Sequence, residues 1–322
     1  MWNGMRQKIQ QTKEKIYTLF SNSVGIDLGT TNTLVYVRDF GIIINEPSVV
    51  AVNQKTGQVV AVGAEAKQML GRTPAHISAI RPLLEGVISN FEVAEEMLAY
   101  FLRKVHERSP KLARPTVVIG VPSNITNVET RAVRDAAKNA GAREVYIVEE
   151  PMAAAIGIDM PVKEPVGSMI IDIGGGNTDI AVISLGGVVR SKNVRIAGDR
   201  FNEDIISYIR NEFKILIGER TAESIKIAIG SVIEGRERVE APVRGRDLVT
   251  GLPREVIITD ADIREAISSS IFTLIDAVKE VLETTPPEVL SDVMARGIVL
   301  VGGGATISGF AELLGDSLHI PI

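Results

Sequence analysis

Two short stretches hold the residues best suited to chemistry. Ile26-Asp27-Leu28-Gly29-Thr30-Thr31-Asn32-Thr33-Leu34-Val35 returns 145 residues later as Ile171-Asp172-Ile173-Gly174-Gly175-Gly176-Asn177-Thr178-Asp179-Ile180, with Asp, Gly, Asn and Thr aligned without a gap. Each copy reads as a strand, a polar glycine turn and a second strand. That arrangement suits a phosphate group: glycine lets backbone N–H groups approach an anion closely, and the hydroxyls of Thr30, Thr31 and Thr178 add donors. Asp27 and Asp172, one from each copy, are expected to face one another across a domain joint and to hold a hydrated Mg²⁺ that bridges phosphate oxygens. An aspartate so placed can also simply cap a turn; the duplication is what favours the paired site.

A third glycine run, Gly302-Gly303-Gly304-Ala305, follows the apolar stretch Ile298–Val301. It offers a flat backbone surface for a purine, or a plain strand-to-helix turn. The chain has no G-x-x-x-x-G-K-[ST], and no G-x-G-x-x-G between a strand and a helix, so neither of those nucleotide sites is supported. Zero cysteines exclude disulfides and thiolate chemistry, and three histidines scattered at His76, His106 and His319 argue against a metal cage. A net charge of −5 argues against general nucleic-acid affinity, which needs a concentrated basic face. No apolar run reaches the ~18–20 residues of a membrane span and none resembles a secretory leader, so a cytoplasmic protein is expected.

The elements that must position these residues follow from periodicity. Short β-rich runs occur at Val24–Leu28, Thr33–Arg38, Ser48–Asn53 and Val59–Val62, and helical spacing at Phe91–Glu107 and Val128–Ala140. Thr126 and Glu129 form a capping box for the second of these helices, and Gly141 a stop. Thr116–Val121 and Val145–Val148 read as interior parallel strands. Further helices are expected at Phe201–Leu216, Glu219–Ile229 and Asp262–Leu282, with 235–254 an exposed loop or short strands. Strands alternating with helices predict an α/β class, and the long repeat predicts two related domains, 23–155 and 156–322. Residues 1–22 differ in character. Arg6, Lys8, Lys13 and Lys15 oppose only Glu14, while Trp2, Met5, Ile9, Ile16, Leu19 and Phe20 fall on one helical face. The segment reads as a basic amphipathic helix suited to an anionic lipid surface, with a frayed tail or packing against protein as the alternatives.

These motifs, in this order, resemble the actin, Hsp70 and sugar-kinase superfamily and, within it, the bacterial MreB family of actin-like shape-determining filament proteins. The resemblance covers roughly residues 23–322. It is carried by Gly25-Ile26-Asp27-Leu28-Gly29-Thr30, Asn45-Glu46-Pro47-Ser48-Val49-Val50, Gly63 to Pro74, Glu149-Glu150-Pro151-Met152-Ala153-Ala154-Ala155-Ile156-Gly157, Asp172 to Gly176 and Pro286-Pro287-Glu288. It implies a duplicated actin-like, ribonuclease H-like ATPase fold with ATP and Mg²⁺ in the interdomain cleft. Asp27 and Asp172 would organise the metal through water, and Thr30, Thr31, Asn32, Gly174, Gly175 and Gly176 would hold phosphates. Glu223, Ser224, Ile225 and Lys226 would meet ribose and base, with Gly302, Gly303, Gly304 and Ala305 as the adenosine loop. Glu150 would position the attacking water. The implied function is an ATP-dependent homopolymer on the inner face of the membrane, a slow ATPase that works with membrane proteins of the cell-elongation machinery to scaffold peptidoglycan synthesis and maintain rod shape.

Two departures stand out. The family usually has threonine after the triple glycine to help align the water, and here the position is Asn177, an amide of different hydrogen-bonding geometry. The family's chain also continues past a strand like His319–Ile322 and returns to the first domain as a closing helix, so either the sequence is a fragment or the first domain lacks that cover and exposes apolar surface. The alternative function is a soluble small-molecule kinase of the same superfamily, which would want an aspartate base beside a sugar pocket and no membrane helix.

Overall fold

The computed structural model describes residues 21–109, 113–235 and 238–322. The expected amphipathic helix, with Trp2, Met5, Ile9, Ile16, Leu19 and Phe20, lies outside the described residues. The chain divides into two compact units. One runs to Val121 and resumes over Ile125–Glu149; the other comprises Pro122–Asn124 and Glu150–Ile322.

The first unit holds β1 (Ser21–Leu28), β2 (Asn32–Val37), β3 (Gly41–Pro47), β4 (Val50–Asn53), β5 (Val59–Val62), α1 (Ala64–Met69), β6 (Ile77–Ile80), β7 (Leu83–Leu84), β8 (Val87–Ile88), α2 (Phe91–Arg108), β9 (Ala113–Val121), α3 (Asn127–Asn139) and β10 (Glu144–Glu149). Its main sheet has the order β10-β9-β1-β2-β3. β1 pairs parallel with β9 and antiparallel with β2, and β9 pairs parallel with β10. Alternation along the strands decides what each face meets. Val24, Ile26, Leu28, Val117, Ile119 and Val121 point inward, onto Met97, Leu98 and Phe101 of α2 and Val133, Ala136 and Ala137 of α3. On the opposite face Tyr146, Val118, Gly25, Tyr36 and Ile42 align from strand to strand. The four side chains of that row are exposed. The run Val145–Val148, as β10, ends the sheet and is an edge strand rather than an interior one. Its apolar residues come from one-sided packing against α3, not from burial on both faces.

Local signals start the helices where backbone chemistry requires. At α3 the Thr126 side chain accepts from the Glu129 N–H while the Glu129 carboxylate takes the Thr126 N–H, the expected capping box.

The second unit holds α4 (Glu150–Gly157), β11 (Ser168–Ile173), β12 (Thr178–Ser184), β13 (Gly187–Val194), α5 (Gly198–Glu212), β14 (Ile215–Leu216), α6 (Glu219–Ile229), β15 (Glu240–Asp247), β16 (Pro253–Thr259), α7 (Asp260–Glu283), α8 (Pro287–Arg296), β17 (Ile298–Val301) and α9 (Phe310–Leu318). The main sheet, β13-β12-β11-β17, repeats the first: a central strand with a parallel neighbour on one side and two antiparallel strands on the other. The registers agree, since Asp27 pairs with Leu34 and Asp172 with Asp179, the equivalent position of the repeat. Both faces are covered here. Met169, Ile171 and Ile173 join the large core around Phe201, Ile205 and Ile271, while Ile170, Ala181 and Ile183 pack with Ala155 of α4. That packing assigns α4 to the second unit, so the units part at Glu149–Glu150.

Other elements differ from the sequence reading. The helix expected over Phe201–Leu216 begins at Gly198 and ends at Glu212, because Lys214 takes a left-handed conformation and Ile215–Leu216 pairs with β15. The mixed segment 235–254 supplies β15, a strand paired antiparallel with β16. His319–Ile322 forms no strand. Its one ladder-like bond is from the Ile298 N–H to the Pro321 carbonyl, 2.8 Å.

The turn between β1 and β2 is held from below by Ser48, which is fully buried. Its hydroxyl donates to the Gly29 carbonyl at 2.6 Å and meets the Thr33 hydroxyl at 2.8 Å. Ser48→Ala strands both partners in a dry site, so it is expected to lower unfolding free energy by about 1–3 kcal/mol in urea titration, and a loss under about 0.5 kcal/mol would show that the turn stands without this anchor.

Candidate functional site

In the first unit the turn Gly29–Asn32 presents its polar groups beside the end of β1. Thr30 is buried and its Oγ1 accepts from the Gly86 N–H at 2.7 Å, which leaves the hydroxyl proton to donate elsewhere. The Thr31 Oγ1 is buried with no partner among the described residues. An orphaned donor at a glycine turn fits an anionic ligand, since leaving it unpaired is costly. Asn32 is exposed at the start of β2. Asp27 reaches solvent, yet surrounding protein crowds it, and that desolvation pushes its carboxyl above the usual carboxylate range.

The second turn is braced differently. The Gly174 N–H donates to the Asn177 carbonyl at 3.0 Å, closing the turn. The start of α5 then ties itself to the glycines, with Gly198 N to the Gly174 carbonyl at 3.2 Å and Asp199 N to the Gly175 carbonyl at 2.7 Å. Lys226 of α6 completes the cluster, its Nζ donating to the Gly198 carbonyl at 2.7 Å. Burial lowers its pKa, opposed by the negative charges of Glu223, Asp199 and Glu219. A cation beside a glycine turn is a reasonable phosphate partner. Neither the Gly198–Asp199 anchor nor this placement of Lys226 was evident from the motifs, because both depend on where α5 and α6 pack.

Several expected roles change. Thr178 is buried and donates its hydroxyl to the Ile196 carbonyl at 2.7 Å, so it is a strand anchor and not a phosphate donor. The equivalent Thr33 is likewise turned inward. Ile225 is buried in the core with Ala222 and Ile229, and the Ser224 hydroxyl bonds back to the Arg220 carbonyl of its own helix. Glu223 and Lys226, three apart, lie one turn from each other along α6. Asn177 is also buried, and its Nδ2 donates to the Asp179 carboxylate at 2.7 Å. Its amino group is therefore committed inside the protein.

The third glycine run rests against the end of β11. Gly302 has φ +86°, and a Cβ there would stand 2.5 Å from an Asp172 carboxylate oxygen and closer still to the Ile173 carbonyl oxygen. Gly304 meets the Ile173 side chain in the same way, whereas Gly303 faces open space. Ala305 is half-buried against the core. Asp172 and the Gly302–Gly304 loop are thus contiguous, the loop packed over the buried Ile173. Glu150, the first residue of α4, is partly exposed in the same unit. Two other motif glycines and acids are structural. Gly63, at φ +72°, leaves room for Glu46, whose carboxylate pairs with Lys104 at 2.6 Å.

Two sheets that share a four-strand topology, each carrying an aspartate near the end of its central strand and a polar glycine turn beyond it, define a two-domain α/β protein of the actin-like fold. The chain belongs to the MreB/Mbl protein family, whose model matches residues 21–322. It is 51% identical over 313 residues to the cell shape-determining protein MreB of Escherichia coli strain K12, covering 96% of this chain and 90% of that protein. It is 48% identical over 304 residues to the cell shape-determining protein Mbl of Bacillus cereus, covering 94% and 91%. Its fold matches the crystal structure of MreB5 of Spiroplasma citri bound to ADP, with TM-score 0.89 and 38% identity over 94% of this chain and 90% of that one, and the same protein bound to AMPPNP with TM-score 0.88.

The glycine loop makes a paired prediction. Gly302→Ala must adopt a left-handed backbone and also overlap Ile173, so it is expected to cost at least about 1–2 kcal/mol of stability. Gly303→Ala, with an ordinary φ of −66° and no neighbour, should stay within about 0.5 kcal/mol. Equal thermal unfolding of the two variants would contradict the close approach.

Proposed function

We propose that this chain binds ATP with Mg²⁺ through both glycine turns and polymerises into actin-like filaments that help set cell shape. The observation that carries the reading is the register-matched pair of hairpins with Asp27 and Asp172 at equivalent strand ends. MreB and Mbl relatives named for determining cell shape, and an MreB5 crystallised with ADP and with AMPPNP, support it. The donor set fits the ligands. Thr30, Thr31 and the backbone N–H groups of Gly175 and Gly176 serve phosphate oxygens, Lys226 lies by the second turn with Glu223 one helical turn away, and the Gly302–Gly304 loop supplies a purine surface. Asp27 and Asp172 are the carboxylates that would hold the cation, through its own waters and nucleotide oxygens. Bound there, Mg²⁺ would neutralise charge on the phosphates. Glu150 orients the attacking water, and the slow hydrolysis that follows weakens the filament. The filaments recruit membrane proteins of cell elongation and guide peptidoglycan synthesis.

Among the described residues no helix is long and apolar enough to cross a membrane. The reading places the filament on the inner membrane face through residues 1–20. Each apolar side chain there contributes at most about 1.5–3 kcal/mol on full burial and each basic residue about 1 kcal/mol against anionic lipid. Partial insertion and the ordering of the segment oppose this, so monomers bind weakly and filaments gain by avidity.

Two measurements test the proposal. Asp172→Lys is expected to abolish Mg²⁺-dependent ATP binding by calorimetry and, with it, filaments in electron micrographs; unchanged affinity sinks the two-hairpin site. Trp2, the single tryptophan, should shift its emission to the blue on anionic vesicles, strongly with ATP and weakly when polymerisation is blocked. Vesicle co-sedimentation that survives deletion of residues 1–20 would rule out this anchor.

A further inference from the structure

The repeat puts a leucine, Leu34, in the first hairpin where the second has Asp179. A carboxylate within an apolar strand, 1% exposed, needs partners, and Asp179 has collected them. Its Oδ1 accepts from the Ser123 N–H at 2.8 Å. Its Oδ2 accepts from Asn177 Nδ2 at 2.7 Å and Asn193 Nδ2 at 3.1 Å. Ser123 lies in Pro122–Asn124, the short stretch that joins the second unit although the chain on either side belongs to the first. Asn124 strengthens that attachment, its Nδ2 donating to the Ser191 hydroxyl at 3.1 Å. One buried carboxylate therefore links the end of the phosphate turn, the neighbouring strand β13 and this crossing.

The chemistry of the pair settles which way Asn177 faces. Three N–H donors converge on the Asp179 oxygens, as suits an acceptor-only carboxylate, so the amide turns its Nδ2 toward Asp179 and its Oδ1 away from it. Oδ1 is then the atom left to meet a water, and it is an acceptor. A water that attacks a terminal phosphate is oriented by such an acceptor, which takes one O–H and aims the lone pairs elsewhere.

We propose that Asp179 is a positioning residue for ATP hydrolysis, holding Asn177 in the single amide orientation that presents Oδ1 to the attacking water. In the step concerned, the water oxygen bonds to the terminal phosphorus as the bond from that phosphorus to the bridging oxygen breaks. ADP leaves, one water proton stays on the phosphate and the other passes to solvent. The inference rests on the nucleotide-binding reading above and adds a residue to it.

The test uses the full chain with ATP and Mg²⁺. Affinity for a non-hydrolysable ATP analogue is measured by calorimetry, and hydrolysis by single-turnover phosphate release. Asp179→Asn keeps the shape but can donate as well as accept, so Asn177 is free to invert. It is expected to leave affinity within roughly 3-fold and to slow single-turnover hydrolysis roughly 10-fold or more, the loss of one charge-assisted bond. Asp179→Glu keeps an acceptor-only carboxylate and should recover most of the rate. It also carries the test if the Asn variant does not fold, because a rate unchanged under Asp179→Glu but lost in Asn177→Leu fits an oriented amide. In an Asn177→Thr background no amide remains to orient, so adding Asp179→Asn should have little further effect. Full activity in Asp179→Asn, an equal loss of affinity and rate, or effects that multiply in the double variant would each overturn the proposal. A parent protein that binds no nucleotide would instead overturn the nucleotide reading.

Discussion

Each of the two glycine turns depends on the hydrogen-bond ladder of its own central strand, β1 in the first unit and β11 in the second. Each strand is gripped by a parallel neighbour on one side and an antiparallel hairpin partner on the other. A strand paired on both edges cannot slip by one residue without turning its apolar set away from the core. That constraint fixes Asp27 and Asp172 as the residues that emerge at the strand ends, and it places a glycine turn immediately beyond each. The chemistry is thus tied to the packing of Val24, Ile26 and Leu28 in one unit and of Met169, Ile171 and Ile173 in the other.

The two copies have diverged in how they brace the same turn. The first uses a serine from a neighbouring segment, Ser48, beneath Gly29. The second uses the start of α5, with Gly198 and Asp199 donating to the glycine carbonyls and Lys226 closing over Gly198. Their surroundings differ too. The second sheet is covered on both faces, so β11 and β12 are buried almost throughout, whereas one face of the first sheet carries exposed Tyr146, Val118, Tyr36 and Ile42. The second copy also carries the Asp179 carboxylate, a buried polar anchor where the first has Leu34.

Much of this was legible in residue order. The capping box at Thr126 and Glu129 was readable because both bonds close within four residues. The hairpins were readable because a strand, a glycine turn and a strand are contiguous. The features that residue order does not carry involve partners distant in sequence. Val145–Val148 looked interior, yet β10 lies at the sheet edge, since hydrophobicity reports burial but not which neighbours a strand has. Phe201–Leu216 looked like one helix, yet Ile215 and Leu216 are claimed by β15. Thr178 looked like a phosphate donor, yet its side points to Ile196.

The amino-acid sequence by itself determined the duplicated α/β architecture, the acidic strand ends and the glycine turns, because these arise from short-range periodicity and from the conformational freedom of glycine. Only the tertiary structure decided that Gly302 must stay a glycine, through its contact with Asp172 and Ile173 some 130 residues earlier in the chain. Only it decided that Asn177 turns its amino group inward to Asp179 and that Asp179 reaches Ser123. Those choices are made by side chains competing for a few buried hydrogen-bond partners, and the winners are set by which elements pack together.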